Sequence, residues 1–225
     1  MKRAEVIHMS RNTKFLLRIV QYIIGLLILA FGVTISINSD LGVSPVSALP
    51  YVVSVVWDMS LSTCVIIVFS SYIVMQIFIL GKEFKWYNLF QLAFSTIYGY
   101  FTDFTKWVIG DFALPGYGGR LIMMVVSTII ISAGTTIYVG AKLVPMPMDG
   151  ISLALAQKLG TDSFPKMKGI TGCISVLVCV LICLIFNGGK VVGVREGTVF
   201  TAVFVGVFVS VWRKFLNPIM NKLQD

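Results

Sequence analysis

Six transmembrane helices in a 3+3 inverted repeat, each half carrying a short re-entrant half-helix, is the all-α membrane fold that this sequence predicts. Three observations lead there. Of the 225 residues, 57% are hydrophobic and only 12% are charged. Six apolar segments have the length of a membrane span. Two further apolar segments, too short to cross, begin at a proline in matching places of the two halves.

A soluble domain has about a quarter of its residues charged. A chain this poor in charge, with a mean hydropathy of +0.90, cannot cover its surface against water, so lipid is the solvent for much of it. At about 20 residues per span the length allows roughly six helices and no sizeable extramembrane domain. The net charge of +8 does not point to nucleic acid, because the basic residues gather on no soluble face. They stand at the ends of apolar segments, as in membrane proteins whose basic loops stay inside.

The first half, residues 16–110, holds spans at 16–37, 63–80 and 87–110. After a connector at 111–119, the second half, 120–214, holds spans at 121–140, 169–186 and 198–212. A basic tail of residues 1–15 precedes the first span and a short tail, 215–225, follows the last. The tail and first apolar run are too long for a typical cleaved signal, and no A-x-A-type site follows, so an uncleaved start-transfer span is expected. Lys82, Lys85, Lys142, Lys158, Lys166, Lys168, Arg213, Lys214 and Lys222 fall in loops on one side. The stretch 38–62, on the other, has Asp40 and Asp58 and no Lys or Arg. This asymmetry places both termini in the cytoplasm of a multi-pass cell-membrane protein.

The two short segments, 45–57 and 147–159, follow Leu41-Gly-Val-Ser-Pro-Val-Ser47 and Met146-Pro-Met-Asp-Gly150. A dozen residues rise about 18 Å, short of about 30 Å of hydrocarbon. Small or polar residues recur at Ser95, Gly99 and Asp103 in the third span and at Ala202, Gly206 and Ser210 in the sixth. That spacing lets another helix approach closely, within the chain or across a homodimer. Three full spans per half make the second half enter upside down, so one half-helix dips from outside and the other from inside. Non-helical backbone at that depth survives only where protein or a water-filled cavity satisfies it.

These segments, with Gly197-Thr198-Val199 opening the last span, resemble the YczE/YyaS/YitT-like family of bacterial integral membrane proteins. The resemblance covers most of the chain from the first span onward. It implies Leu-Gly-x-x-Pro-x-Asp in the first half and Gly-Pro-x-Asp-Gly in the second, and membrane transport as the presumed activity. Two positions depart from that pattern. The first-half acid is Ser47 here, and the basic residue often found between Pro and Asp in the second half is Met148. A pairing of those two groups is therefore not carried over.

A substrate site is expected where Gly42, Ser44, Pro45 and Ser47 approach Pro147, Asp149 and Gly150. An acid inside the membrane costs about 2.5–3.5 kcal/mol on insertion scales. Asp149 should therefore either bind a cation, proton or substrate or satisfy free N–H groups of its own first turn. Ser44 before Pro45 reads as an N-cap ahead of an N1 proline. Asp103 has Lys106 one turn on, which suggests an interfacial ion pair. Gln21, Gln76, Asn88 and Gln91 suggest interhelical hydrogen bonds. Cys64, Cys173, Cys179 and Cys183 lie in apolar stretches as packing residues, and His8 lies in the tail.

The chain carries no G-x-S-x-G, H-E-x-x-H or Walker A run, so no enzyme, metal or cofactor is expected. The expected function is a small secondary transporter or facilitator of a small polar or anionic metabolite across the cytoplasmic membrane. A passive channel, or a non-transporting accessory or scaffold protein, is the alternative.

Overall fold

The computed structural model describes residues 11–59, 61–161 and 163–224; His8 and most of the basic tail lie outside them. Eight α-helices run in order: α1 (Arg11–Asn38), α2 (Pro45–Val56), α3 (Leu61–Leu80), α4 (Gln91–Ile109), α5 (Gly116–Gly140), α6 (Pro147–Lys158), α7 (Phe164–Phe186) and α8 (Glu196–Gln224). Two 3-10 turns, Gly81–Glu83 and Trp86–Phe90, join α3 to α4.

Among the described residues, five helices are long and apolar enough to cross a membrane: α1, α3, α5, α7 and α8. The expected third span is α4, which has 19 residues and is not among the five. Thr102, Asp103, Thr105 and Lys106 dilute the apolar character of its second half. Several expected boundaries move: α1 and α5 start at Arg11 and Gly116 rather than at 16 and 121, and α4 at Gln91 rather than at 87. The last helix does not stop at residue 212 but runs to Gln224 through Pro218. α7 starts at Phe164, with a proline in its first turn, so Lys166 and Lys168 belong to a helix rather than to a loop.

α1 and α5 form the spine, and glycine decides how closely they approach. A Cβ at Gly134 would sit 2.5 Å from the Leu29 backbone nitrogen, and one at Gly25 would sit 2.5 Å from that of Tyr138. Only hydrogen fits at such crossings, and in lipid close van der Waals contact takes over from the hydrophobic effect as the force between helices. Tyr22, Leu26, Leu29, Ile131 and Tyr138 fill the seam. α4 packs on α1, and α8 packs on α5.

The two short helices lie between the longer ones. α2 packs on α3 and α7, and α6 packs on α7 and α3. Large apolar side chains on the outer faces, such as Phe78 and Trp107, are exposed, which hydrocarbon tolerates and water does not. Cys173 is among the outward-facing residues, so it is not a packing residue; Cys64, Cys179 and Cys183 are buried.

The small-residue face of α8 is used within the chain. Gly172 of α7 lies against Ala202, and a Cβ on Gly206 would collide with the Pro165 carbonyl. That face is therefore not free for a homodimer. Its first-half counterpart differs, because a Cβ on Gly99 would meet nothing within 4 Å.

Candidate functional site

α6 begins with Pro147, whose missing N–H costs nothing in a first turn. Asp149 is its third residue and 2% exposed. Among the described residues, the hydrogen bonds of its carboxylate go to other helices rather than to N–H groups of its own first turn. It faces two neighbours instead. The Tyr138 hydroxyl of α5 donates to Oδ2, and the Lys168 ammonium of α7 donates to Oδ1. The Asp149 and Lys168 side chains are 3% and 4% exposed. Three elements thus converge on one ion pair, and among the described residues it is the buried one of four.

Lys168 is the residue that loop-charge reasoning misplaced. A lysine just before an apolar run reads as a loop cation. Here the helix starts at Phe164, and Lys168 stands a turn inside it. The signal was local: Ser163-Phe164-Pro165 is a helix-start pattern. A cation reaches Asp149 from α7, not from position 148, where Met148 is buried and apolar. Tyr138 carried no sequence signal beyond its place near the end of a span.

Gly150, next to the acid, allows a second polar layer. A Cβ there would come within 2.5 Å of the Gln76 Oε1. Gln76 Nε2 donates to the Pro147 carbonyl at 3.0 Å and to Gln91 Oε1 at 3.0 Å, and Gln91 Nε2 returns a bond to Gln76 Oε1 at 2.9 Å. The reciprocal amide pair binds α3 and α4 to the start of α6. Ser152 and Thr171 share a 2.7 Å hydroxyl bond one turn further along.

Beside these satisfied groups stand several that are not. Among the described residues, the buried hydroxyls of Tyr22, Tyr72 and Tyr98 meet no hydrogen-bond partner, and neither do those of Ser44 and Thr135. The three tyrosines share one side-chain cluster with Met146 and Met148. Tyr22 and Tyr98 lie within electrostatic reach of Asp149. Each buried, unpaired hydroxyl costs about 1–3 kcal/mol unless something binds it.

The first-half motif divides. Ser47 lies beside the Tyr98 hydroxyl without forming a hydrogen bond to it, which brings it toward the Asp149 neighbourhood. The Pro45 carbonyl accepts a 3.4 Å bond from Ser175 of α7. Ser44 occupies the N-cap position of α2, but its side chain makes no capping bond, so the expected cap is absent. Gly42 stands apart. Its φ of +114° suits glycine, and a Cβ there would strike Thr198 Oγ1 and the Arg195 nitrogen. Its segment is tied to the chain around the start of α8 by Val43 N–H to Gly193 O at 2.9 Å and Gly197 N–H to Leu41 O at 2.8 Å. Arg120 and Arg195 both hold Asp40 from outside this tie.

The secondary polar residues fall elsewhere. Gln21 donates to the Ile137 carbonyl and to Met220 Sδ, an interhelical role like that of Gln76 and Gln91. Asp103 and Lys106 are both exposed. They form no ion pair within 4.0 Å, so the expected pairing is not made.

Residues 16–214 match the model of a family described as a family of unknown function, DUF6198, and the chain belongs to that family. It is also 26% identical over 197 residues to the uncharacterized membrane protein YczE of Bacillus subtilis (strain 168), covering 87% of this chain and 85% of the relative. No solved structure matches the chain.

Proposed function

From that membership, we propose that this membrane protein is a secondary transporter or facilitator of a small polar or anionic solute across the cytoplasmic membrane. Its site would be the Asp149–Lys168 pair between two opposed half-helices. The observation that carries this reading is the buried ion pair at the start of α6, surrounded by unpartnered hydroxyls. A buried pair is a poor source of stability, since an apolar replacement of similar volume often does as well. Ionisable groups within a membrane protein's interior mark substrate or ion pathways by default.

The packing supports an inverted repeat. Exchanging α1 with α5, α2 with α6, α3 with α7 and α4 with α8 maps the packing of α2 on α3 and α7 onto that of α6 on α7 and α3, and the packing of α4 on α1 onto that of α8 on α5. Asp40 and Lys142, at equivalent places before the two prolines, both take positive φ, +53° and +55°. The carbonyls of Pro45 and Pro147 each accept a side-chain bond from the other half, from Ser175 and Gln76. With both termini inside, α2 would dip from the outer face and α6 from the inner one. Rocking one half against the other would then expose the pair to each side in turn.

In this reading Lys168 supplies the charge for a carboxylate or phosphate, and the tyrosine hydroxyls orient the solute. A zwitterion suits the site well, because it exchanges one ion pair for two and leaves neither Asp149 nor Lys168 bare.

The test is a thermal-stability screen of purified protein against metabolites and ions, run beside Asp149→Asn and Lys168→Gln. A ligand at about 100 times its dissociation constant stabilises a fold by roughly 2.7 kcal/mol. A stabilising solute whose effect vanishes in both variants is the expected result. A broad panel without any hit, on a monodisperse helical sample, argues for a non-transporting accessory protein instead.

A further inference from the structure

We propose a second binding site, for a phosphate group, in a cavity between α5, α7 and α8 at the end of the bundle that carries the basic loops. The cavity measures about 110 Å³, and its polar lining is Lys142, Arg213, Asn217 and Thr136, with Phe164 and Met220 among its apolar walls. Two cations and a carboxamide converge there, and among the described residues no carboxylate lines the space.

Among the described residues, neither cation has a neutralising partner: no acid lies within 4.0 Å of Lys142 or Arg213. The Arg213 guanidinium stands 5.8 Å from the Phe164 ring centroid. A ring at that distance holds the cation by its face and leaves guanidinium N–H groups free for a ligand. Lys142 is placed by its backbone. Its φ of +55° turns the chain sharply just after α5 ends, so the lysine is presented by a fixed turn rather than by a helix face.

Size selects among anions. A water needs about 10–15 Å³ of such space, so the cavity accepts several water-sized atoms, which suits the five heavy atoms of a phosphate. A planar fork beside a compact ammonium is a common arrangement for phosphate oxygens. Basic pockets between membrane helices take phospholipid headgroups for the same reason. Phe215 and Ile219 of α8 are exposed nearby in sequence, giving an acyl chain an apolar surface. Phosphate is the shared chemistry, and its source is either an anionic lipid or a free phosphate. Tyr138, Asp149 and Lys168 do not line this cavity, so the site stands whether or not the chain transports anything.

The experiment is thermal unfolding of delipidated protein in neutral detergent. One arm compares phosphatidylglycerol with phosphatidylcholine in mixed micelles. The other compares inorganic phosphate with chloride at matched ionic strength. Lys142→Asn removes a charge while suiting the positive φ, because asparagine tolerates that conformation. Arg213→Gln is the second variant, and Lys214→Gln, a neighbouring exposed lysine outside the cavity, is the control. Phosphatidylglycerol should raise the midpoint by several degrees over phosphatidylcholine. That gain should fall by at least half in Lys142→Asn and Arg213→Gln and stay whole in Lys214→Gln. An equal gain from inorganic phosphate would assign a free phosphate, and a gain from lipid alone would assign a headgroup. No gain in either arm, or an equal loss in Lys214→Gln, would overturn the site.

Discussion

Replacing Lys168 with methionine should destabilise the protein far more than replacing Lys168 and Asp149 together. The Asp149 carboxylate is 3% exposed, and among the described residues the ammonium is its one cationic partner. Lys168→Met keeps the length and apolar stem of the side chain but leaves Asp149 with the Tyr138 hydroxyl alone. Stranding one member of a buried pair costs about 3–5 kcal/mol. In a chain of this length, by the scale for soluble domains of 150–250 residues, each 1 kcal/mol moves the midpoint by about 2–4 °C. A fall on the order of 10 °C is therefore expected. Asp149→Asn alone should also cost several kcal/mol, because Lys168 is then the buried charge without a counterion. The double variant, Asp149→Asn with Lys168→Met, removes both charges, and the neutral carboxamide in place of the carboxylate can still accept from Tyr138. It should recover most of the loss, so the coupling, which is the sum of the two single losses less that of the double variant, exceeds either single loss and is on the order of 5 kcal/mol. The assay is thermal or denaturant unfolding of all four proteins in one detergent, read as a double-mutant cycle. Additive losses, with a coupling below about 0.5 kcal/mol, would refute the reasoning, since residues that do not interact add within that margin.

Other outcomes follow from the same packing. Gly150→Ala should cost about 1–3 kcal/mol, because a Cβ 2.5 Å from Gln76 Oε1 breaks up a buried amide pair; its unfolding midpoint measures this. Gly134→Leu should prevent a stable fold, since its Cβ would stand 2.5 Å from the Leu29 backbone nitrogen, where nothing can rotate away. The readout is the yield of monodisperse protein on size exclusion. Gly99→Ala, with nothing within 4 Å of the new atom, should stay within about 1 kcal/mol of the parent and gain slightly from helix propensity. Arg120→Ala should change stability by less than about 1 kcal/mol, because its 2.6 Å pair with Asp40 is 40% and 67% exposed and such pairs are weak.

Much of the fold was legible because lipid imposes a simple rule on sequence: apolar runs become helices, and their lengths are set by the bilayer. The two short helices start at Pro45 and Pro147, as the sequence indicates, because proline fixes a first turn. Helix ends were less legible. α8 continues past its apolar stretch to Gln224, since a polar helix can extend into water without a change in backbone pattern. At the site, Asp149 stood out by its cost, and Gly150 by its motif. Lys168 did not, because a cation beside an apolar run has the same local pattern whether it faces water or a buried acid. The two are separated by 19 positions, so the pairing belongs to tertiary structure. Ser44 misled in the opposite direction. Its position before Pro45 matches a cap, yet the side chain makes no capping bond and meets no partner among the described residues.

The reading of function stands on two half-helices that enter the membrane from opposite faces, and cysteine accessibility tests that directly. In a background without the four native cysteines, Met59→Cys, just beyond α2, and Thr161→Cys, just beyond α6, would each be treated with a membrane-impermeant maleimide. Both positions are exposed in the fold. Met59→Cys should react in right-side-out spheroplasts and Thr161→Cys only in inside-out vesicles. Labelling of both from one and the same side would contradict the inverted repeat, and with it the site between the half-helices.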